Sequence, residues 1–141
     1  MIESTLPKRG IDQWGDGAFG APRGMKNGKP KKHKGIDYAC YPDTVIRSPV
    51  NGLCNKLGYC YSDDLFYRYV QIKTENGARY RFFYVEPDVV VGDYVHYQDE
   101  IGTAQNIAKR YSLPTKYMKN HIHLEILVAG KPVDPEVFHV V

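Results

Sequence analysis

A chain of 141 residues with 43% apolar content suits one domain with a real core, and it excludes both a disordered chain and two ordinary domains. The net charge of +3 is unevenly placed, with eight Lys/Arg against three Asp/Glu in residues 1–35 and a slightly acidic remainder, so the basic excess is local. No apolar run approaches the ~18 residues of a membrane span, and the opening Met1 to Lys8 lacks the apolar stretch of a signal peptide.

Residues 1–32 hold six of the thirteen glycines and three of the nine prolines and show little period. They read as a surface-hugging lead-in that Trp14 and Phe19 would pin to the core. The lead-in proper is placed at 1–18 and the domain at 19–141. Lys26, Lys29, Lys31, Lys32 and Lys34 crowd the approach to His33. They suit an anionic polymer such as nucleic acid or the carboxylate- and phosphate-bearing cell wall, or else form a solvated loop. No recognised nucleic-acid module or array of base-stacking aromatics accompanies them, so nucleic acid is not expected as a partner.

Residues 44–48, 52–57, 67–74, 79–85 and 121–128 are rich in Val, Ile, Tyr and Phe and are bounded by Gly, Pro, Asn or Asp, the marks of strands. Asn76-Gly77 predicts a hairpin between two of them, with positive φ at both turn positions. Only residues 103–111 read as a helix, ending before Pro114. The fold class is mainly β with one short helix. Residues 104–120 form a long connection carrying Lys109, Arg110, Tyr111, Lys116, Tyr117 and Lys119, which suits the wall of a substrate groove or a plain surface loop. Cys40, Cys54 and Cys60 show no C-x-x-C spacing and read as buried free thiols, with a Cys54–Cys60 bridge as the alternative.

The chemistry concentrates in two short segments. On a strand, residues two apart share a face, so His121 and His123 of His121-Ile122-His123 point the same way. Upstream, His33-Lys34-Gly35-Ile36-Asp37 brings a second nitrogen and a carboxylate. Zinc takes neutral imidazole and carboxylate in tetrahedral array, so His33, Asp37 and His123 would fill three corners and leave the fourth to water. His121, one pleat away, would accept a proton from that water, and Glu125 would orient an imidazole from behind. Ile122, Leu124 and Ile126 would face the core. His96 and His139 have no partners in sequence and read as surface residues.

The flanks of these segments resemble the lysostaphin/LytM-type zinc metallopeptidases. In that family a Phe-Gly-x-Arg-like segment, here Phe19-Gly20-Ala21-Pro22-Arg23, precedes His-x-Gly-x-Asp. A strand, small turn and Gly-containing strand follow, matched by Thr44 to Gly52. Gly92-Asp93-Tyr94-Val95 and Ile101-Gly102 match a Gly-Asp-x-Val turn leading to Ile-Gly. His121-Ile122-His123-Leu124-Glu125-Ile126 and Gly130-Lys131-Pro132-Val133-Asp134-Pro135 match the closing motifs. Order and spacing hold from residue 19 to residue 135.

The resemblance implies a compact antiparallel β-sheet metallopeptidase domain with a groove over the metal. It implies zinc held by His33, Asp37 and His123, and His121 as general base. Its usual substrates are the cross-bridge or stem peptides of peptidoglycan. One departure stands out: the family's second active-site histidine, in a Tyr-x-His-Leu-like strand, falls on Tyr84 of Phe82-Phe83-Tyr84-Val85. A phenol donates a hydrogen bond to a developing oxyanion but shuttles protons poorly, and its plain alternative is a packing aromatic. Alternation would put Tyr84 on one face with Phe82. The family's Gly- and Thr-rich turn before His-x-His is replaced by residues 104–120. A stand-alone catalytic domain without signal peptide or wall-binding module looks like a phage lysin or part of a phage tail, virion-associated or delivered to the bacterial periplasm and cell wall. The alternative is a catalytically impaired member that binds peptidoglycan or activates a partner enzyme.

Overall fold

A computed structural model describes residues 6–12, 15–26, 28–111 and 118–138. Two small hairpins come first, β1 (Ile11–Asp12) with β2 (Gly15–Asp16) and β3 (Pro22–Lys26) with β4 (Lys29–Lys32). There follow β5 (Ile36–Ala39), β6 (Val45–Arg47), β7 (Gly52–Tyr61), β8 (Asp64–Lys73), β9 (Arg79–Phe83) and β10 (Val85–Pro87). The chain continues through β11 (Tyr94–Val95), β12 (Glu100–Ala104), α1 (Ala108–Tyr111), β13 (His121–Val128), β14 (Lys131–Val133) and α2 (Pro135–Phe138). Among the described residues no helix is long and apolar enough to cross a membrane.

The main sheet has seven strands in the order β11-β7-β8-β9-β13-β14, with β5 also paired to β13. Every pairing is antiparallel. β13 is its hub: β9 lies along one side, and β5 and then β14 share the other. A three-stranded sheet, β10-β12-β6, covers the inner face. Val70, Ile72, Tyr80, Phe82, Leu124 and Ile126 from the main sheet and Ile46, Val85 and Ile101 from the small one share one buried cluster. Burying each such side chain contributes roughly 1.5–3 kcal/mol, so this cluster holds the two sheets together.

The Asn76-Gly77 signal does join β8 to β9, but through a different turn from the one expected. Gly77 alone takes a positive φ, 88°. Its N–H donates to the Thr74 carbonyl at 3.0 Å, and the Thr74 N–H donates to the Ala78 carbonyl at 2.9 Å. That is a three-residue loop closed by a left-handed glycine. Asn76 instead uses its side chain, accepting the Ala78 N–H at 3.2 Å.

The helix expected over 103–111 shrinks to the single turn of α1. Thr103 and Ala104 are captured by β12, where the Ala104 N–H donates to the Thr44 carbonyl at 2.9 Å and its carbonyl accepts the Asp43 N–H at 2.7 Å. Sheet pairing overrides local helix preference. The second short helix, α2, carried no strong periodic signal.

The N-terminal segment is woven into the sheet as well as lying on its surface. Ala39 donates to the Pro7 carbonyl at 2.6 Å, Arg9 to the Asp37 carbonyl at 2.7 Å, and Asp37 to the Gly17 carbonyl at 2.9 Å. The anchor is therefore backbone pairing together with the buried Arg9. Phe19 is only half-buried, and Trp14 lies outside the described residues. Cys40, Cys54 and Cys60 are free thiols, which removes the Cys54–Cys60 bridge.

Candidate metal centre

Asp37 of β5 and His123 of β13 are direct cross-strand partners, and Phe83 of β9 is the partner of His123 on its other side. Directly opposed residues share a face, so this row lies on the outer face of the sheet. The intervening Ile122, Leu124 and Ile126 turn to the core, none more than 2% exposed. His33 arrives from the loop before β5. Gly35 allows the approach: a Cβ there would lie 2.1 Å from the Leu124 carbonyl oxygen and 3.0 Å from His123 Cε1. Any side chain would push His33 away from β13.

His33 Nε2 lies 2.9 Å from His123 Nδ1 and 3.3 Å from Asp37 Oδ1, and His123 Nδ1 lies 2.8 Å from the same oxygen. The outward nitrogens are engaged elsewhere. His33 Nδ1 donates to the Ala18 carbonyl at 3.0 Å, and His123 Nε2 donates to Glu125 Oε2 at 3.0 Å. With those protons outside, the neutral rings aim bare lone pairs at each other and at Asp37 Oδ1. Three acceptors converging on one point repel unless a cation or a shared proton lies among them.

Two imidazole nitrogens and one carboxylate oxygen are a zinc donor set with a corner to spare. Tetrahedral ligands about 2.1 Å from an ion stand about 3.4 Å apart, so a small outward relaxation fits the three atoms around one zinc. Their ligand atoms all fall within 4.8 Å of one another, the one such cluster among the described residues. Without metal the same electrostatics recruit a proton. Burial opposes charge on His123, but Asp37 and Glu125 overcome it and hold the imidazole up to about 9. Burial likewise raises Asp37, but hydrogen bonds from His123 and His33 carry its carboxyl well below the ordinary value.

His121 sits on the same face, one pleat along. Its Nδ1 donates to the Lys119 carbonyl at 2.7 Å, and its Nε2 points inward, 3.5 Å from Asp37 Oδ2. Burial lowers its pKa against the pull of Asp37. The ring is therefore neutral at neutral pH and presents an inward lone pair, the form a proton acceptor needs.

Tyr84 is placed differently from the strand expectation. Its φ is 67°, a left-handed conformation rare for a bulky residue, and it interrupts the run between β9 and β10. Alternation breaks there. Phe82 packs in the core, while Phe83 and Tyr84 both face the histidines, with ring centroids 5.2 Å from His123 and 5.6 Å from His121 respectively. The Tyr84 hydroxyl lies 3.3 Å from that of Tyr61, which in turn bonds Tyr111 at 2.5 Å. Burial pushes the Tyr84 phenol up, so it stays protonated and able to donate.

Arg9 escaped sequence reading. Only 3% exposed, it donates from Nη1 to Asp37 Oδ2 at 2.6 Å and grips Asp12 at 2.9 and 2.7 Å. Asp37 thus turns one oxygen to the histidines and the other to a guanidinium. The residue is one arginine in an aperiodic Gly/Pro segment, and no local signal marks its partner 28 residues away. Gly17 makes room, since a Cβ there would stand 3.0 Å from both Arg9 Cβ and Asp37 Cβ.

A cavity of about 500 Å³ opens over these groups. Its lining includes Arg23, Lys31 and Lys32 from the β3–β4 hairpin with Lys34 just after it, and Tyr61, Tyr84 and Tyr111 from β7, the β9–β10 junction and α1. From the connection 104–120, Tyr111 of α1 lines this cavity; Lys116 and Tyr117 lie outside the described residues. His96 is exposed beside Asp99, as expected, and His139 lies outside the described residues.

The curled antiparallel sheet with its covering strands is the fold of the lysostaphin-type metallopeptidases. The chain belongs to peptidase family M23, whose model matches residues 31–135. Among solved structures it is similar to the catalytic domain of a mutant of the prophage-encoded M23 protein EnpA from Enterococcus faecalis. The TM-score there is 0.68 at 19% identity, covering 99% of this chain and 96% of that one. It is also similar to the catalytic domain of the antimicrobial peptidase lysostaphin from Staphylococcus simulans, with TM-score 0.64 and 20% identity over 86% and 87% of the two chains. A zinc-containing peptidase from Vibrio cholerae gives a TM-score of 0.65 at 17% identity over 99% of this chain and 39% of that one. In sequence, Myeloid protein 1 of Gallus gallus is 28% identical over 120 residues, 83% of this chain. The chain spans about a third, 34%, of the length of that curated relative.

Proposed function

We propose that the protein is a zinc-dependent endopeptidase that hydrolyses peptide bonds of peptidoglycan. The observation that carries this reading is the convergence of three acceptors, His33 Nε2 and His123 Nδ1, whose rings donate from their other nitrogens outside the site, and Oδ1 of the ionised Asp37. His33, Asp37 and His123 are the proposed metal ligands. Zinc held there supplies Lewis acidity toward the scissile carbonyl.

The chain's own groups do the rest. His121 Nε2 accepts a proton from the attacking water and returns it to the leaving amine, a task for a neutral buried imidazole. The Lys119 carbonyl holds that ring in the required tautomer. The Tyr84 hydroxyl donates a hydrogen bond to the developing oxyanion. Glu125 keeps the His123 proton on the outer nitrogen. Delivery with a phage particle is a separate part of the proposal, tested by finding or not finding the protein in purified virions.

A second reading has its own observation. The resemblance puts Tyr84 where the family has its second histidine, and in the structure its hydroxyl is already engaged with Tyr61. A member that grips peptidoglycan without cutting it would look like this. Metal analysis and purified sacculi separate the two readings. The endopeptidase reading expects about one zinc per chain, lost in His123→Ala, and new amine termini detected by mass spectrometry. Zinc-loaded protein that binds sacculi and releases no new termini establishes the binding module. Full zinc retention in His123→Ala overturns the ligand assignment.

A further inference from the structure

The cavity over the metal centre is electrically lopsided. Among the described residues, Arg9, Arg23, Lys31, Lys32 and Lys34 line it against two carboxylates, Asp37 and Glu125. Both carboxylates are already committed, Asp37 to Arg9 and the histidines and Glu125 to His123. Arg9 is spent on Asp37 and Asp12. The surplus therefore lies with Arg23 and the three lysines. Among the described residues Arg23 donates to backbone carbonyls, those of Pro22 and Asp16, and to no carboxylate. Lys31, Lys32 and Lys34 enter no ion pair among the described residues. β4, which carries Lys31 and Lys32, is exposed along its whole length, so its lysines are presented by a projecting hairpin.

The part of the lining formed by Tyr61, Tyr84 and Tyr111 carries no such charge. Burial pushes the phenols of Tyr61 and Tyr84 up, which keeps them neutral. Arg110 stacks over the Tyr61 ring at 3.7 Å and is bound to Asp63 and Asp64. A substrate entering the cavity thus meets hydroxylated aromatic faces together with cations that, among the described residues, form no side-chain ion pair. A neutral peptide would leave that positive surplus uncompensated, while a peptide bearing carboxylates beside the scissile bond would engage several of these cations at once; each exposed pair is weak, but together they steer and orient the peptide.

We infer that the substrate is an anionic peptide, one whose carboxylates lie against the Arg23, Lys31, Lys32 and Lys34 wall, in preference to a neutral oligoglycine bridge. This rests on the peptidoglycan reading above and narrows it to the carboxylate-bearing stem peptide. The lysine run that sequence alone left between a solvated loop and an anion-binding surface becomes the element that selects substrate.

The test uses zinc-loaded full chain and sacculi stripped of covalently attached anionic polymers. Half the sacculi keep their free peptide carboxylates, and half have them converted to amides. Wild-type kcat/KM is expected to fall about tenfold or more on amidated sacculi, the scale of a few partly screened charge pairs. Lys31→Gln/Lys32→Gln/Lys34→Gln should lose a similar factor on native sacculi, mostly in KM, keep its zinc, and no longer distinguish the two preparations. Lys73→Gln/Arg79→Gln/Lys131→Gln removes as much charge from exposed positions outside the cavity and should still distinguish them.

Equal cleavage of native and amidated sacculi by the wild type overturns the inference. So does an equal loss in the control variant, which would reduce the effect to overall charge. If the wild type cuts neither preparation, the endopeptidase reading fails, and retention on the sacculi decides the inference by itself. Tighter retention on native than on amidated material, abolished in the lysine variant, upholds an anionic ligand; equal retention refutes it.

Discussion

Replacing Arg9 by methionine keeps most of the stem volume and deletes the guanidinium. Arg9 is 3% exposed and makes charge-assisted bonds of 2.6 Å to Asp37 and of 2.7 and 2.9 Å to Asp12. Without it, the polar side-chain contact left to Asp37 Oδ2 among the described residues is the His121 nitrogen, 3.5 Å away. Removing one member of a buried ion pair costs about 3–5 kcal/mol. The lower end applies, because Asp37 Oδ1 retains His33 and His123 and Asp12 retains the Lys119 N–H at 2.9 Å. A loss of about 3 kcal/mol in a domain of this size lowers Tm by about 10 °C. A cation held by Asp37 offsets the lost positive charge, so the deficit should shrink roughly by half when zinc is present. Calorimetric melting of both proteins, each with chelator and with zinc at pH 7, reads the two differences directly. A deficit under about 1 kcal/mol in chelator refutes the buried-pair argument. A full deficit that zinc leaves untouched assigns Arg9 to packing alone.

Five further outcomes are expected. His121→Ala should keep about one zinc yet slow hydrolysis by about 10²–10⁴-fold; equal zinc loss in His121→Ala and His123→Ala would make both residues ligands. Tyr84→Phe should lower kcat by about 10²–10³-fold with little change in KM, and unchanged turnover would make Tyr84 a packing aromatic. Gly35→Ala should destabilise by about 1–3 kcal/mol and weaken zinc binding in competition titrations, because its methyl meets the Leu124 carbonyl. Gly77→Ala, in open space at positive φ, should cost about 1 kcal/mol and leave zinc affinity alone. Cys40 and Cys60, pushed up to about 11 by burial, should be alkylated slowly at pH 8 and faster as the thiolate fraction rises toward pH 11, which peptide mass spectrometry follows.

What the sequence made legible was local. In β13 the alternation of His121, His123 and Glu125 with Ile122, Leu124 and Ile126 shows both its faces, and the observed strand has the expected bounds. The glycine between His33 and Asp37 was visible, although its reason, the carbonyl of Leu124, belongs to a strand 89 residues on. Residues 103–104 misled because helix preference is a property of the segment while the capturing partner, Thr44, is remote. Tyr84 misled because alternation assumes extended backbone, and one left-handed residue reverses a face. Arg9 was invisible for the plainest reason: a buried ion pair needs two addresses, and a sequence prints each without the other.

Asp37 and His123 face each other across a strand boundary, yet they are 86 residues apart in the chain. Sliding β5 past β13 by a single residue would carry one of them to the opposite face and scatter the three donor atoms. An ion held there would thus act as a proofreader of assembly, rewarding one alignment of two distant segments and no other. Molecules that fold around it would be sorted for correct strand register before they ever meet a substrate.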